Sequence, residues 1–309
     1  MLGSAPAERR RLTLRRFLAL SAVLGVLLAS CGPEQQAGGG GGGGGSPAPD
    51  QCATENLNLL TQDQLTIGTD NPAFPPWFGG GTPEGSPWEI NDPSTGKGYE
   101  SAVAYAVAER LGFATDEVEW VEVPFNQSFR PGDKAFDFFL NQVSYTPQRD
   151  QAVDFSDSYY DASQGLVAVG GTPIADARTV ADLKPFTLGA PIGTTSFAVI
   201  EEQVQPDEDP AVFDTLNDAI QALKNGQVDG IVADVPTAFI IIAVQVDGGV
   251  IVGQFPTAGE QEYFGMVFED GNPLRECVNQ ALDELRSDGT LDALEERWIA
   301  GKGQAPLLG

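Results

Sequence analysis

The 309-residue chain contains no histidine. Ser-His-Asp and Cys-His catalysis, histidine-ligated metals and histidine pH switching are thereby excluded. Cysteine is nearly absent, and Cys31, Cys52 and Cys277 stand too far apart for a zinc finger or an iron–sulfur site. No cofactor, no metal and no catalytic residue is expected. Basic residues are scarce: 17 Lys and Arg against 44 Asp and Glu, a formal charge of −27. Five of the arginines fall in the first thirty residues, so 12 basic side chains face 43 acidic ones thereafter. A body of that charge repels phosphate backbones, which argues against nucleic acid. It also repels anionic lipid, so contact with a membrane needs an anchor. No apolar run reaches the roughly twenty residues that span a bilayer. What is present is a 41% hydrophobic composition, enough to bury a core in one large domain or two ordinary ones.

The N-terminal fifty residues read as an address and a tether. Arg9, Arg10, Arg11, Arg15 and Arg16 precede an apolar run at 17–29, the layout of a secretory signal over residues 1–30. The paired arginines resemble a twin-arginine signal that lacks its usual spacer residue, which leaves the export route open. Leu28-Ala29-Ser30-Cys31 resembles the bacterial lipoprotein box, which implies cleavage before Cys31 and lipid on that cysteine. Residues 38–45 are uninterrupted glycine, followed by Ser46-Pro47-Ala48-Pro49. A glycine-rich coil from Gly32 to Pro49 spans roughly 20–25 Å, so residues 31–51 would hold a folded body just off a membrane. With Cys31 lipidated, Cys52 and Cys277 are an even pair in an oxidising compartment. A disulfide between them is expected, the alternative being two free thiols.

Beyond Cys52, strand and helix signals alternate. Residues 65–69 (LTIGT), 118–123 (VEWVEV), 136–140, 187–190 and 230–233 read as strands. Val103, Val107 and Leu111 fall four apart in a helix ended by Gly112, and Leu216, Ala219, Ile220 and Leu223 share one face of another, stopped by Gly226. Leu274, Val278, Ala281, Leu282 and Leu285 make a third stripe, closed by Gly289, after which Thr290 can cap a last helix. This alternation argues for α/β layers with mostly parallel sheets.

In open α/β sheets ligands bind beyond the carboxyl ends of strands. Four segments put polar residues there: 70–74 after LTIGT, 141–149 after 136–140, 193–196 after 187–190, and Asp234 after 230–233. At these residues the chain resembles the periplasmic or lipoprotein solute-binding proteins of ABC importers, in the cluster that takes polar amino acids. The strongest piece is VSYTPQRDQAVDFSDSYY at 143–160, close to the family pattern of Ser, Thr-Pro, Arg, then Val-Asp-Phe-Ser. GTTSF at 193–197, GQVDGIVAD at 226–234 and LRSDGTLDALEERW at 285–298 follow in order. The resemblance covers about 65–298.

The resemblance implies an α/β, two-lobe periplasmic-binding-protein fold with two hinge strands and the ligand cleft between the lobes. Residues 52–162 with 263–303 would form one lobe and 163–262 the other. It implies that Arg149 forks onto a ligand α-carboxylate, for which a planar, permanently charged guanidinium is suited. Asp234 would take the α-ammonium, although a carboxylate closing a strand can also cap the next turn. Thr195, with backbone N–H groups near Thr194 and Ser196, would complete the carboxylate site, and Ser144 and Gln142 would add hydrogen bonds. Phe74 matches an aromatic that packs on the ligand side chain, or else belongs to the core. Asp70 matches a position that contacts basic side chains in some relatives, or else braces the Pro-rich loop. Trp77 and Trp88 flank a Gly/Pro insertion at 79–92 that is either a lid or packed down.

Two departures bear on specificity. Asn141 and Gln142 stand where many relatives have small residues, and FRPGDKA at 129–135 replaces a helix with a shorter Pro/Gly turn. The implied function is a lipid-anchored receptor, exported to the outer face of the cytoplasmic membrane. It would be a monomer that captures a small zwitterion, a polar amino acid, and delivers it to an ABC permease with its ATPase. Two alternatives use the same cleft: a carboxyl-dependent dehydratase of prephenate-like acids, with Glu100 or Asp70 as the proton-transfer group, and a sensory module. Mean surface charge does not name the ligand.

Overall fold

All five residues of β1 (Leu65–Thr69) are buried, because the strand is covered on both faces. It pairs in parallel with β2 (Val118–Glu122) on one side and β3 (Phe138–Phe139) on the other. β2 is the sheet edge and only half-buried, which is why VEWVE alternates while LTIGT does not. Gly68 is required at the centre: a Cβ there would lie 2.9 Å from the Phe139 ring. This computed structural model describes residues 49–259, 261–299 and 305–309. The expected signal at 1–30, Cys31 with its lipid, the tether as far as residue 48, and residues 300–303 of the expected first lobe lie outside the described residues.

The first sheet continues through β12 (Val267–Phe268) to β4 (Asp154–Phe155), in the order β2-β1-β3-β12-β4. Helices α1 (Tyr99–Arg110), α6 (Leu274–Ser287) and α7 (Thr290–Trp298) bury their apolar stripes with Leu65, Ile67 and Phe138 in one core. Gly289, at φ 80°, is the N-cap of the last helix, and Thr290, which its sequence position suggests as the cap, is its first residue, donating through N (2.9 Å) and Oγ1 (2.6 Å) to Asp288 Oδ1. Cys52 and Cys277 are disulfide-bonded with Cα atoms 5.4 Å apart, joining residues 225 positions distant.

The second sheet has the order β10-β6-β9-β7-β8. It comprises β6 (Gln164–Val169), β7 (Leu188–Pro191), β8 (Ala211–Phe213), β9 (Gly230–Asp234) and β10 (Gly249–Gln254). Helices α3 (Thr195–Val199), α4 (Leu216–Lys224) and α5 (Val235–Ile240) follow β7, β8 and β9. Each sheet has its own buried clusters, which makes two lobes. Between them β5 (Tyr160–Asp161) and β11 (Tyr263–Phe264) pair antiparallel, Tyr160 opposite Phe264, where the chain leaves the first sheet and returns to it.

The sheets are mixed, not mostly parallel: β12 pairs antiparallel with β3 and β4, and β6 antiparallel with β9 and β10. The reason is geometric. Strands β1, β3, β7 and β9 end at the cleft, whereas β6 and β12 begin at the crossing and must run the other way. Residues 305–309 return to the second lobe: Leu307 bridges in parallel to Gln254, and Leu308 is buried beside Gly253, where a Cβ would lie 2.7 Å from its Cγ.

Candidate ligand cleft

The cleft is a cavity of about 310 Å³, in the range of small-molecule sites. The first lobe contributes Asp70 and Phe74 beyond β1 and Asn141, Gln142, Ser144 and Arg149 beyond β3. From the second lobe come Thr194, Thr195 and Ser196 beyond β7, and Asp234 at the end of β9. All ten sequence-expected side chains therefore meet in one cavity, since the four strands that carry them converge on it.

Arg149 is 9% exposed. Its Nη1 donates to Ser144 O and its Nη2 to Gly193 O, both at 2.7 Å, so it already reaches across to the second lobe. Two of the five guanidinium N–H groups are thus used. No carboxylate lies within 4.0 Å of it among the described residues. The guanidinium lies against the Phe129 and Phe125 rings, 4.5 and 5.4 Å from their centroids. Phe125 heads the single turn α2 (Phe125–Ser128). The 129–135 segment that departs from the family pattern therefore supplies one of the two rings under the arginine, Phe129, and the turn before it supplies the other. Burial pushes Arg149 down to about 10, opposed by the charge of Glu262, so it stays protonated at neutral pH.

Asp234 caps α5, its Oδ1 accepting from Thr237 N at 2.9 Å, so the capping role and the cavity-lining position coexist. Burial pushes its carboxyl up to about 6, against the lowering effect of the Thr237 bonds. Thr237 Oγ1 in turn accepts from Trp77 Nε1 at 2.8 Å. Trp77 packs edge-on to Tyr99, Tyr160 and Phe264 at the crossing strands. Trp77 is fully buried and Trp88 is 7% exposed. The 79–92 insertion is accordingly packed down rather than a free lid, held to the residues after β1 by Asn91 Nδ2 donating to Ala73 O (2.9 Å) and Glu89 N donating to Asn71 Oδ1 (2.8 Å).

Two expected roles change in detail, those of Gln142 and Ser144, while the Thr194 side chain is engaged apart from the backbone role expected there. Gln142 spends its donors on the protein: its N and Nε2 donate to Glu100 at 2.6 and 2.5 Å, leaving the side-chain oxygen for the cavity. Its φ of 48° is the left-handed backbone this turn requires. Ser144 gives its hydroxyl proton to Glu262 Oε1 at 2.6 Å rather than to the cleft. Thr194 is occupied as the cap of α3, accepting from Phe197 N at 3.1 Å and donating to Pro191 O at 2.7 Å. Phe74 lines the cavity and is half-buried, so it is a wall and not a core residue. Asp70 accepts from Asn71 N at 2.8 Å, and burial raises its carboxyl above the usual range.

Glu100 sits behind this surface. Fully buried, it accepts from Tyr159 OH at 2.5 Å as well as from Gln142, and burial pushes it up to about 7. It does not line the cavity. Gln164, Asn126 and Asp214 do, and the sequence reading missed them. Asp214 follows β8, a strand of three residues and too short for a periodicity signal. The cavity wall thus carries three carboxylates, Asp70, Asp214 and Asp234, against one cation, Arg149.

Among known proteins, residues 80–301 match the bacterial extracellular solute-binding proteins, family 3. The arginine-binding extracellular protein ArtP of Bacillus subtilis is 26% identical over 226 residues, covering 70% of this chain and 83% of that one. An ancestral arginine-binding protein, solved bound to arginine, superposes with a TM-score of 0.64 at 29% identity, over 77% of this chain and 99% of its own. An ancestral amino acid-binding protein, a precursor of cyclohexadienyl dehydratase, gives 0.63 at 25% identity, over 77% and 95%.

Proposed function

The chain belongs to the bacterial extracellular solute-binding proteins, family 3, and we propose on that premise that it captures a cationic amino acid for an ABC importer. The observation that carries this reading is one cavity walled by both lobes, with Arg149 and Asp234 in its lining and two further carboxylates beside them. An α-carboxylate on Arg149 and an α-ammonium on Asp234 leave Asp70 and Asp214 without a counter-charge, which a basic side chain supplies. The remaining Arg149 donors suit a carboxylate fork. Thr195, with backbone N–H groups near Thr194 and Ser196, closes the carboxylate end, the Thr195 and Ser196 hydroxyl protons being given to Ser144 and Gln164; Phe74 is a wall for the aliphatic stem, and Asn141 and Gln142 supply acceptors.

The lobes in this reading comprise 52–162 with 263–303, and 163–262, and ligand stabilises their closed arrangement only by its differential affinity for it. The permease with its ATPase then recognises the closed receptor. The N-terminal residues are read as an export signal, a lipidated Cys31 and a tether holding a monomer to the membrane. Among the described residues no helix is long and apolar enough to cross a bilayer. Binding without turnover is the proposed activity. Both oxygens of Glu100 are engaged by Gln142 and Tyr159, which leaves that carboxyl poorly placed for proton transfer to a ligand.

Thermal unfolding against a panel of the natural amino acids tests the proposal. A ligand at a hundred times its dissociation constant adds about 2.7 kcal/mol of stability. Arginine or lysine should give the largest shift, and a flat response across the panel would overturn the reading.

A further inference from the structure

Ser144 and Gln164 stand on opposite lobes and both line the cleft, and Ser144 O accepts from Arg149 Nη1 at 2.7 Å. Behind them lies Glu262, on the return crossing just before β11, its backbone held by Ala162 N donating to Glu262 O at 2.8 Å. Glu262 Oε1 accepts from Ser144 Oγ at 2.6 Å, and both carboxylate oxygens lie within reach of Gln164 Nε2, at 3.1 and 3.2 Å. The layer is directional. Ser144 has one proton, and an ionised carboxylate only accepts, so that proton points away from the ligand. Ser144 Oγ is then the acceptor for Thr195 Oγ1 at 3.1 Å. The Gln164 oxygen takes Ser196 Oγ at 2.7 Å. Glu262 itself does not line the 310 Å³ cavity but a smaller one of about 90 Å³ on the far side of this layer.

We infer that Glu262 is a positioning residue for the α-carboxylate end of the cleft, holding Ser144, Gln164 and Thr195 in place while its negative charge restrains how tightly a ligand carboxylate is held. The inference rests on the reading of this cavity as an amino-acid site. The two effects have opposite signs on affinity. Its hydrogen bonds organise the wall, whereas its charge sits on the same side as the anion to be bound. That charge is felt in the site: Glu262 raises the proton affinity of both Arg149 and Asp234. In the empty cleft it is the acid that partly offsets the buried guanidinium, and an incoming carboxylate must share Arg149 with it.

Two substitutions separate charge from geometry. Glu262→Gln keeps an oxygen to accept from Ser144 and Gln164 and removes the charge, whereas Glu262→Ala removes both. The probes are L-arginine and L-argininamide, which differ only in the α-carboxylate, so effects on the ammonium and side-chain ends cancel in the ratio of their affinities. By calorimetric titration, Glu262→Gln should tighten arginine by roughly three- to tenfold, the scale of a like charge at partly screened distance, and raise the arginine to argininamide ratio by the same factor. Glu262→Ala should bind arginine more weakly than Glu262→Gln. An unchanged ratio in Glu262→Gln, with wild-type binding intact, overturns the charge role. Equal arginine affinity in Glu262→Ala and Glu262→Gln overturns the positioning role. A wild-type protein that binds neither arginine nor lysine overturns the cationic-ligand reading itself, and this inference with it; should lysine alone bind, lysine and lysinamide are the pair of probes.

Discussion

Acidification of the cleft should move ligand affinity and protein stability in opposite directions. Asp234 titrates at about 6 in the empty protein because burial disfavours its charge. A ligand ammonium requires that charge, so affinity is constant above about pH 7 and falls about tenfold per pH unit below 6, until the lower pKa of the bound state is reached. At pH 5 the loss is therefore about tenfold, with close to one proton released on binding. Arg149, at about 10, is charged throughout and adds no slope. Stability of the ligand-free protein runs the other way. Asp234 and Glu100 have folded values raised to about 6 and about 7, from 3.8 and 4.5. Each contributes fully at pH values below its unfolded pKa, and that contribution is lost as pH rises through the folded pKa, on the order of 3 kcal/mol per group. The two carboxyls repel one another, so the contributions do not simply add. Calorimetric titration with arginine in buffers of different ionisation enthalpy, pH 5 to 8, measures affinity and proton release together. Thermal unfolding without ligand over the same range measures the opposite trend. Affinity that stays level from pH 8 to 5, or an Asp234→Asn variant that keeps the wild-type pH profile, would refute the assignment of the slope to this carboxyl.

Arg149→Ala should lose more than a hundredfold in ligand affinity, about 3–5 kcal/mol for leaving the bound anion without its partner, while denaturant unfolding stays cooperative; titration of the mutant with arginine checks it. Asp70→Asn should weaken arginine by roughly tenfold and leave glutamine nearly unaffected, so competition between the two ligands reads the effect directly. Removing the disulfide, by Cys52→Ser with Cys277→Ser, should lower the unfolding free energy by about 2–4 kcal/mol, with a chain-entropy ceiling near 5 for so long a loop. Ligand affinity should be preserved, because neither cysteine lines the cavity.

How much of this was legible in the sequence follows from which contacts are local. LTIGT, the turn after Phe139, GTTSF and the end of GQVDGIVAD each declare a strand that ends in polar residues, so Asp70, Arg149, Thr195 and Asp234 can be placed at one edge without knowing the packing. The same logic fails for strands that begin at the cleft. Gln164 opens β6 and Glu262 precedes β11, and nothing in their neighbourhoods marks a crossing from lobe to lobe. Their hydrogen bonds to each other span 98 positions. The Phe129 ring under Arg149 was hidden for a related reason: its segment, 129–135, was visible as a departure from the family pattern, but the partner that gives it meaning is twenty residues away. Direction of donation was illegible everywhere. A serine in a binding loop reads as a donor to the ligand, and only the carboxylate behind Ser144 reverses it. Strand-end patterning therefore locates a cleft, whereas the polarity of its wall is decided by carboxylates such as Glu262 and Glu100, which stand behind the lining residues and do not line the cavity themselves.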